Sequence, residues 1–219
     1  MGQYSMHRIP IDWSFYGIVD KEWLGEKSAG SVAELLIRGG AGIIQYRDKT
    51  SGDDDFKKAA SEVRRKTLKH GVPFIVNDRI EIALGVKADG VHIGSKDILP
   101  ETARKKIRKH MILGVSVGNW NEFSNSGDAD YLGVGALFPT HTKTDVELAG
   151  LELVRQIRPQ TKAPIVGIGG IIMENVFSVL QAGCDGVAVI SAVLGNSDIE
   201  WAARRFYEAV LSFKQKKQG

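Results

Sequence analysis

The feature that most constrains the fold is a repeated alternation of short apolar runs with longer amphipathic segments. The apolar runs are rich in β-branched residues and nearly continuous, which is typical of strands buried on both faces of a parallel sheet. Eight such runs occur, at residues 15–20, 41–48, 73–78, 90–94, 112–117, 131–138, 164–170 and 186–191. Eight strands with helices between them predict an α/β fold, the closed parallel TIM (β/α)8 barrel.

An open, doubly wound sheet is the alternative architecture for this alternation. Such a sheet normally carries a glycine-rich phosphate-binding turn early in the chain, whereas the comparable glycines here, "GIGG" at 167–170, come late. We find no linker, low-complexity tract or change in composition. We therefore predict one barrel domain over residues 1–219, with a short extension at about 1–14 and a basic C-terminal tail, "FKQKKQG", that frays in solvent.

The segments between the runs carry helix signals. The segment "DDDFKKAASEVRRKTLKHG" begins with acids, ends with bases and stops at Gly71, an order that suits the helix dipole. Ser31 is a candidate N-cap for an earlier helix that Gly39 and Gly40 would end.

Charge and composition exclude several classes of protein. The net charge of +3 over 219 residues is too small to indicate a nucleic-acid surface, and the four tryptophans form no base-stacking series. The sequence starts without the apolar core of a signal peptide and contains no run long enough to cross a membrane. One cysteine, Cys184, allows no internal disulfide and fits a reducing compartment. We expect a cytoplasmic protein that acts on small-molecule substrates. The sequence does not decide whether it forms a homo-oligomer.

Polar residues collect at the carboxyl ends of the predicted strands, where TIM barrels place their chemistry. They comprise three cations, two carboxylates, several hydroxyls and a glycine turn that leads into a helix. In chain order they are Gln45, Arg47, Lys49, Asn77, Asp78, Gly94, Asp97, Ser116, Thr140, Thr142, Lys143, Gly169, Gly170, Ile190 and Ser191. This set is typical of a site for polyanionic substrates and a metal ion.

Each of these residues also has an ordinary structural explanation. Arg47 and Lys49 could form surface ion pairs, Asp78 could cap the following helix, and Asp97 could serve in a turn. Two aspartates on adjacent strands favour Mg²⁺ instead, because this ion takes one or two carboxylates and shares phosphate oxygens. The "GIGG" segment could be a tight turn alone, although backbone N–H groups entering a helix favour a phosphate.

For three other residues the sequence pattern alone indicates no functional role. His92 lies inside a strand, where a packed and hydrogen-bonded core position is the expectation. Cys184 lies in a helix-to-strand turn at the other end of the barrel and is predicted to be a small apolar filler. His141 is a loop residue for which the sequence shows no partner.

The ordered set of strand-end residues resembles the thiamine phosphate synthase family. The matching stretches are "QYRDK", "PFIVNDRIEIALGVKADGVHIGSKD", "ILGVSV", "ADYLGVGALFPTHTK", "PIVGIGGI" and "AGCDGVAVISAV". The resemblance runs from about Phe15 to the final helix. It implies that hydroxymethylpyrimidine diphosphate condenses with a thiazole phosphate, or with its carboxylated form, to give thiamine phosphate and pyrophosphate. It further implies Mg²⁺ as cofactor and a dissociative loss of pyrophosphate.

The same resemblance assigns roles to individual residues. The metal ligands would be Asp78 and Asp97. The catalytic residues would be Arg47, Lys49, Ser116 and Lys143. The substrate-binding residues would be Gln45, Tyr46, Arg47, Asp48, Lys49, Asn77, Ser116, Thr140, His141, Thr142, Lys143, Gly170, Ile190 and Ser191.

The sequence departs from the family pattern in two places, a dipeptide and a single residue. Ser95 and Lys96 stand where the family often has Gln–Glu, and Gly118 stands where the related thiazole tautomerases use a histidine for proton transfer. Gly118 therefore favours the synthase over a tautomerase-like isomerase. The other alternative is a non-catalytic protein that binds thiamine phosphate, and such a protein would not need cations and carboxylates for a leaving group.

Overall fold

The computed structural model describes residues 11–94, 97–140 and 148–218. Within them the chain forms one closed barrel of eight parallel strands in sequence order, with β8 paired to β1. This confirms the predicted TIM barrel. The strands are β1 Phe15–Asp20, β2 Ile43–Arg47, β3 Phe74–Asn77, β4 Gly90–Ile93, β5 Ile112–Val117, β6 Tyr131–Val134, β7 Ile165–Ile168 and β8 Gly186–Val189.

Helices cover the outside of the barrel. They are α1 Ala29–Arg38, α2 Asp53–His70, α3 Ile80–Gly85, α4 Pro100–Lys106, α5 Trp120–Ser124, α6 Gly150–Ile157, α7 Val176–Ala182, α8 Ser191–Leu194 and α9 Ile199–Gln218, with 3₁₀ turns at Lys21–Trp23 and Arg158–Gln160. Throughout the described ranges, every helix falls short of the combined length and apolar character that a membrane crossing requires.

Six of the eight predicted runs extend beyond the strands that form, and the largest excess is that of 131–138, which passes the end of β6 by four residues. The residues after β6 are apolar because the chain continues beside the exit of β7. Leu137 N donates to Ile168 O at 3.0 Å, Phe138 N donates to Gly169 O at 3.1 Å, and the Leu137 side chain is buried. The segment that follows β6 and leads to Thr140 is therefore anchored to the barrel by its own backbone.

Local helix signals are partly confirmed. Helix α2 ends at Gly71 as predicted, with φ of 67° and its N–H directed to Leu68 O and Thr67 O. Ser31 is not the N-cap of α1, because the helix begins at Ala29 and the Ser28 side chain accepts the Ser31 N–H at 3.1 Å.

The expectation of a fraying tail is wrong for its first residues. Helix α9 continues to Gln218. Phe213 packs against Phe177 with ring centroids 6.3 Å apart, and Lys214 Nζ donates to Ser14 Oγ at 2.8 Å. The exposed positions begin at Gln215, so the tail is basic but joined to the barrel.

Three aspartate–arginine pairs brace the amino-terminal end of the barrel at every second strand. In each pair an aspartate just before an even-numbered strand accepts a backbone N–H near the start of the preceding strand, at 2.8 Å. An arginine from the preceding helical segment then pairs with the carboxylate. The pairs are Asp89 with Arg64, Asp130 with Arg104, and Asp185 with Arg158. Polar contacts at this end of a TIM barrel serve stability.

Cys184 lies at the same end, between α7 and β8, as predicted. It is buried, and this burial raises the pKa of its thiol to about 12. The thiol is therefore protonated at ordinary pH and acts as an apolar filler.

Candidate active site

The carboxyl ends of all eight strands meet at one mouth because the barrel is closed and parallel. Arg47 and Asn77 are the last residues of β2 and β3, and Asp78 and Asp97 follow β3 and β4. Ser116 is the penultimate residue of β5. The structure thus brings these predicted site residues to the same end of the molecule.

Arg47 is held by a carboxylate that sequence reasoning missed. Its Nη1 lies 2.5 Å from Asp20 Oδ2, and the two side chains are 11% and 1% exposed. The other oxygen of Asp20 accepts the Glu22 N–H at 3.0 Å, which fixes the carboxylate itself. Asp20 ends the first apolar run, so an acid at the exit of β1 was the signal that could have identified it.

Lys49 forms an ion pair with Asp78, and its side chain is 47% exposed. Both cations therefore form ion pairs, but only the Lys49 pair fits the explanation of a surface ion pair, because the Arg47–Asp20 pair is buried. Their partners, Asp20 and Asp78, themselves lie at the exits of β1 and β3, so the pairing keeps both cations at the mouth. An anionic substrate reaching this mouth would meet Lys49 first, because Arg47 is the more buried of the two.

Asp78 has an unusual backbone and an unusual side chain. Its φ of 62° lies in the left-handed region, which is uncommon for residues other than glycine and recurs at functional sites. Burial raises the pKa of Asp78 to about 6, helped by the nearby Asp97 carboxyl, to which a protonated Asp78 can donate a hydrogen bond. The N-cap of α3 is Arg79 rather than Asp78, so the capping explanation for Asp78 is wrong.

The paired carboxyls of Asp78 and Asp97 fit a divalent cation. Two carboxylates at close range repel each other unless a proton or a cation lies between them. Asp97 is oriented by the Gly94 N–H, which donates to its Oδ2 at 2.7 Å. Over the residues that the structure describes, no third histidine, cysteine or acid joins them. This donor set suits Mg²⁺, which completes its shell with water and phosphate oxygens.

The glycine turn after β7 packs directly on the segment that leads to Thr140. Gly169 and Gly170 have φ of 93° and 64°, and a Cβ on Gly170 would lie 2.6 Å from Pro139 O. Asn175 holds the turn by donating to Gly170 O at 3.0 Å. Both glycines are therefore required by backbone geometry, and Gly170 and Thr140 lie on neighbouring loops of the mouth.

The remaining predicted residues of the loops after β6 and β8 are described only in part. Ile190 is buried and Ser191 is exposed at the start of α8, beside the exit of β8. His141, Thr142 and Lys143 lie outside the described residues, as do Ser95 and Lys96. Their placement stays a prediction.

Tyr46 and Asp48 do not direct their side chains into the mouth. Tyr46 is buried against Phe56 of α2, with ring centroids 4.8 Å apart, because alternate residues of β2 face opposite sides. Its hydroxyl donates to Asp48 Oδ2 at 3.1 Å. The other oxygen of Asp48 accepts the Thr50 and Ser51 N–H groups at 2.9 Å, which shapes the loop after β2.

His92 is a packed, hydrogen-bonded residue of the barrel interior, as predicted. Its Nε2 nevertheless lies 2.9 Å from the hydroxyl of Ser116, a predicted site residue. Its Nδ1 lies 2.9 Å from the Tyr131 hydroxyl. Sequence reasoning missed this link because it considered strand histidines one at a time.

Comparison with known proteins agrees with this geometry. The sequence profile of the family described as thiamine monophosphate synthase matches residues 15–193. This chain belongs to the thiamine monophosphate synthase family. A thiamine-phosphate synthase of Methanospirillum hungatei is 43% identical over 204 residues, which cover 92% of this chain and 99% of the relative. The relative from Alkaliphilus oremlandii is 41% identical over 195 residues, covering 88% and 93%.

A solved structure of the same family shows the same barrel. The thiamine phosphate pyrophosphorylase of Pyrococcus furiosus superposes with a TM-score of 0.83 at 36% identity, covering 93% of this chain and 98% of that one. The chain is thus a transferase of thiamine biosynthesis. The resemblance from the strand-end residues is confirmed.

Proposed function

We propose that this chain joins hydroxymethylpyrimidine diphosphate to a thiazole phosphate, or to its carboxylated form, and releases pyrophosphate. The observation that carries the proposal is the convergence of Arg47 and Lys49 with the Asp78–Asp97 pair at one mouth. Two cations and a carboxylate pair suited to Mg²⁺ are the groups that a diphosphate requires.

Arg47 and Lys49 act on the leaving group. Negative charge grows on pyrophosphate as its carbon–oxygen bond breaks, and fixed cations stabilise that charge more in the transition state than in the bound substrate. Arg47 is suited to the inner position because Asp20 holds it in one orientation. Lys49, at the exposed rim, would neutralise the outer phosphate.

Asp78 and Asp97 would hold Mg²⁺ between protein and diphosphate. When bound, the ion supplies charge stabilisation of phosphate oxygens. Lys49 and the Gly94 N–H orient these carboxylates. Asn77 and Gln45, on β3 and β2, would contact the pyrimidine, and the Ser116 hydroxyl would donate to the diphosphate.

The loops after β6, β7 and β8 would receive the thiazole phosphate. Thr140, His141 and Thr142 come from the first loop, Gly170 from the second, and Ile190 and Ser191 from the third. Lys143 would lie between the two anions and add positive charge to the departing pyrophosphate. The thiazole nitrogen then attacks the pyrimidine methylene, a step that needs no general base and gains its rate from proximity.

The direct test is pyrophosphate release from the purified full chain with both substrates. We expect release and thiamine phosphate formation only when both substrates and Mg²⁺ are present. Release without the thiazole phosphate at the full rate, or product formation in the presence of a chelator, would contradict the proposal. We also expect activity without any added nucleic acid or membrane. Gel filtration of the same sample would report whether the chain forms a homo-oligomer.

A further inference from the structure

Five side chains from five strands form a continuous hydrogen-bonded chain across the barrel interior. Gln45 Nε2 donates to the Tyr16 hydroxyl at 2.9 Å, and the Tyr16 and Tyr131 hydroxyls lie 2.6 Å apart. The Tyr131 hydroxyl lies 2.9 Å from His92 Nδ1, and His92 Nε2 lies 2.9 Å from Ser116 Oγ. We call this chain the interior relay. It connects two proposed substrate-binding residues through three residues that have no assigned part in the reaction.

The barrel provides space for the relay with glycines. A Cβ on Gly114 would lie 2.2 Å from Tyr131 Cζ, and a Cβ on Gly133 would lie 3.0 Å from His92 Cε1. Trp13, which precedes β1 at the amino-terminal end of the barrel, packs on the Tyr131 ring with the ring centroids 4.8 Å apart. These close contacts fix the positions of the two rings. They occupy an interior that TIM barrels usually fill with branched apolar side chains.

The number of hydrogen-bond donors in the interior relay determines the direction in which each hydroxyl donates. Burial raises the pKa values of Tyr16 and Tyr131 above the ordinary value, so both hydroxyls keep their protons. Tyr16 already accepts from Gln45, so its own proton requires an acceptor. Among the described residues, the acceptor is the Tyr131 oxygen. The Tyr131 proton must then be donated to His92 Nδ1.

The opposite direction would leave a buried donor without a partner. If Tyr131 donated to Tyr16, the Tyr16 proton would face, within the part of the chain that the structure describes, only the Gln45 amide N–H group and the Tyr131 hydroxyl. An unpaired buried hydroxyl is unfavourable because no hydrogen bond offsets the loss of its contacts with water. The direction from Gln45 to His92 is therefore favoured.

We infer that the interior relay fixes His92 as its Nε2–H tautomer, so that His92 donates to Ser116 Oγ and the Ser116 proton is free to be donated to the substrate. Tyr16 and Tyr131 are thus positioning residues that act through His92. The inference rests on the proposed function, in which the Ser116 hydroxyl faces an oxygen of the leaving diphosphate. An anion requires a donor at this position, and the relay determines that Ser116 is one.

The tautomer is measured directly by ¹⁵N–¹H correlation of the histidine rings in the full chain. The sequence contains five histidines, so the His92 signals are assigned by their loss in the His92→Asn variant. We expect the Nε2–H tautomer in the wild type and a loss of this preference in Tyr131→Phe. An Nδ1–H tautomer, or a doubly protonated ring, in the wild type would overturn the inference.

Kinetics test whether Tyr131 acts through Ser116. Tyr131→Phe keeps the ring, and we expect kcat to fall about tenfold, on the scale of one lost hydrogen bond, with KM changing less than about twofold. In a Ser116→Ala background the same substitution should cost less than about twofold. An equal loss in both backgrounds would overturn the inference. Tyr207→Phe, on α9, is the matched control and should be silent.

The outcomes separate this inference from the proposed function. If Tyr131→Phe does not fold, the His92 tautomer of the wild type, which needs no variant of Tyr131, still tests the inference. If the wild type makes no thiamine phosphate, the proposed function fails, whereas the His92 tautomer still tests the direction of the relay.

Discussion

The buried ion pair between Arg47 and Asp20 gives the most quantitative test of the site. Both side chains are nearly inaccessible, at 11% and 1% exposure. In Asp20→Asn the amide oxygen can still accept the Glu22 N–H, which Asp20 Oδ1 accepts at 3.0 Å. The substitution thus removes the negative charge opposite Arg47 while it preserves the local turn.

The expected loss of stability follows from the loss of a charged hydrogen bond. Such bonds contribute about 1.5–3 kcal/mol, and an uncompensated buried charge adds to the cost. For a chain of this size, about 2 kcal/mol corresponds to a fall in Tm of roughly 4–8 °C. Because Arg47 is no longer fixed, we also expect the KM for the pyrimidine diphosphate to rise about fivefold, on the scale of one hydrogen bond.

The structure supplies a matched control in an arginine–aspartate pair that is exposed. Arg79 Nη1 lies 2.8 Å from Asp53 Oδ1, but the Asp53 side chain is 83% exposed. Exposed pairs contribute at most about 1 kcal/mol, so Asp53→Asn should shift Tm little and leave KM unchanged. The assay is thermal unfolding of both variants in one buffer, followed by initial rates. A Tm shift for Asp20→Asn no larger than that of Asp53→Asn would show that the buried pair contributes no more to stability than the exposed pair.

Four further predictions follow from other parts of the chain. Asp78→Asn combined with Asp97→Asn should abolish both activity and its Mg²⁺ dependence, with the exposed Asp54→Asn as control; full Mg²⁺-stimulated rates would remove the metal assignment. Lys143→Ala should lower turnover far more than Tm, and wild-type rates would exclude Lys143 from the mechanism. Asp185→Asn, in the Asp185–Arg158 pair at the amino-terminal end of the barrel, should lower the free energy of unfolding by about 1–3 kcal/mol and leave kcat unchanged. A loss of kcat without a loss of stability would contradict a purely structural role for this pair. Lys66, Lys69 and His70 lower the pKa of Glu34 from 4.5 to about 2, so its contribution to stability is present above pH 4.5 and lost as pH falls towards 2. Acid unfolding of Glu34→Gln should lack this component, and identical pH profiles would refute it.

The barrel was predictable because its strands are buried on both faces. Eight apolar runs appear in the sequence, and parallel closure then places every strand exit at one mouth. The meeting of Asp78 with Asp97 follows from the adjacency of β3 and β4. The alternation of side chains in β2 could also have shown that Tyr46 faces α2, since Gln45 and Arg47 face the other way.

Contacts between distant strands were not predictable from the sequence. Asp20 is separated from Arg47 by 27 positions, and no local pattern indicates that the two side chains meet. The Tyr16–Tyr131 contact spans 115 positions and depends on how two tyrosines share the space left by Gly114. Such contacts depend on side-chain volumes inside the closed barrel, which strand patterns do not contain.

Calorimetry of pyrophosphate binding shows directly whether Arg47, Lys49 and the Asp78–Asp97 pair form one diphosphate site with Mg²⁺. We expect the wild type to bind pyrophosphate tightly with Mg²⁺ and weakly without it, and we expect Arg47→Ala and Asp97→Asn each to remove the tight binding. Equal affinity with and without Mg²⁺, unchanged in both variants, would show that these residues do not form such a site.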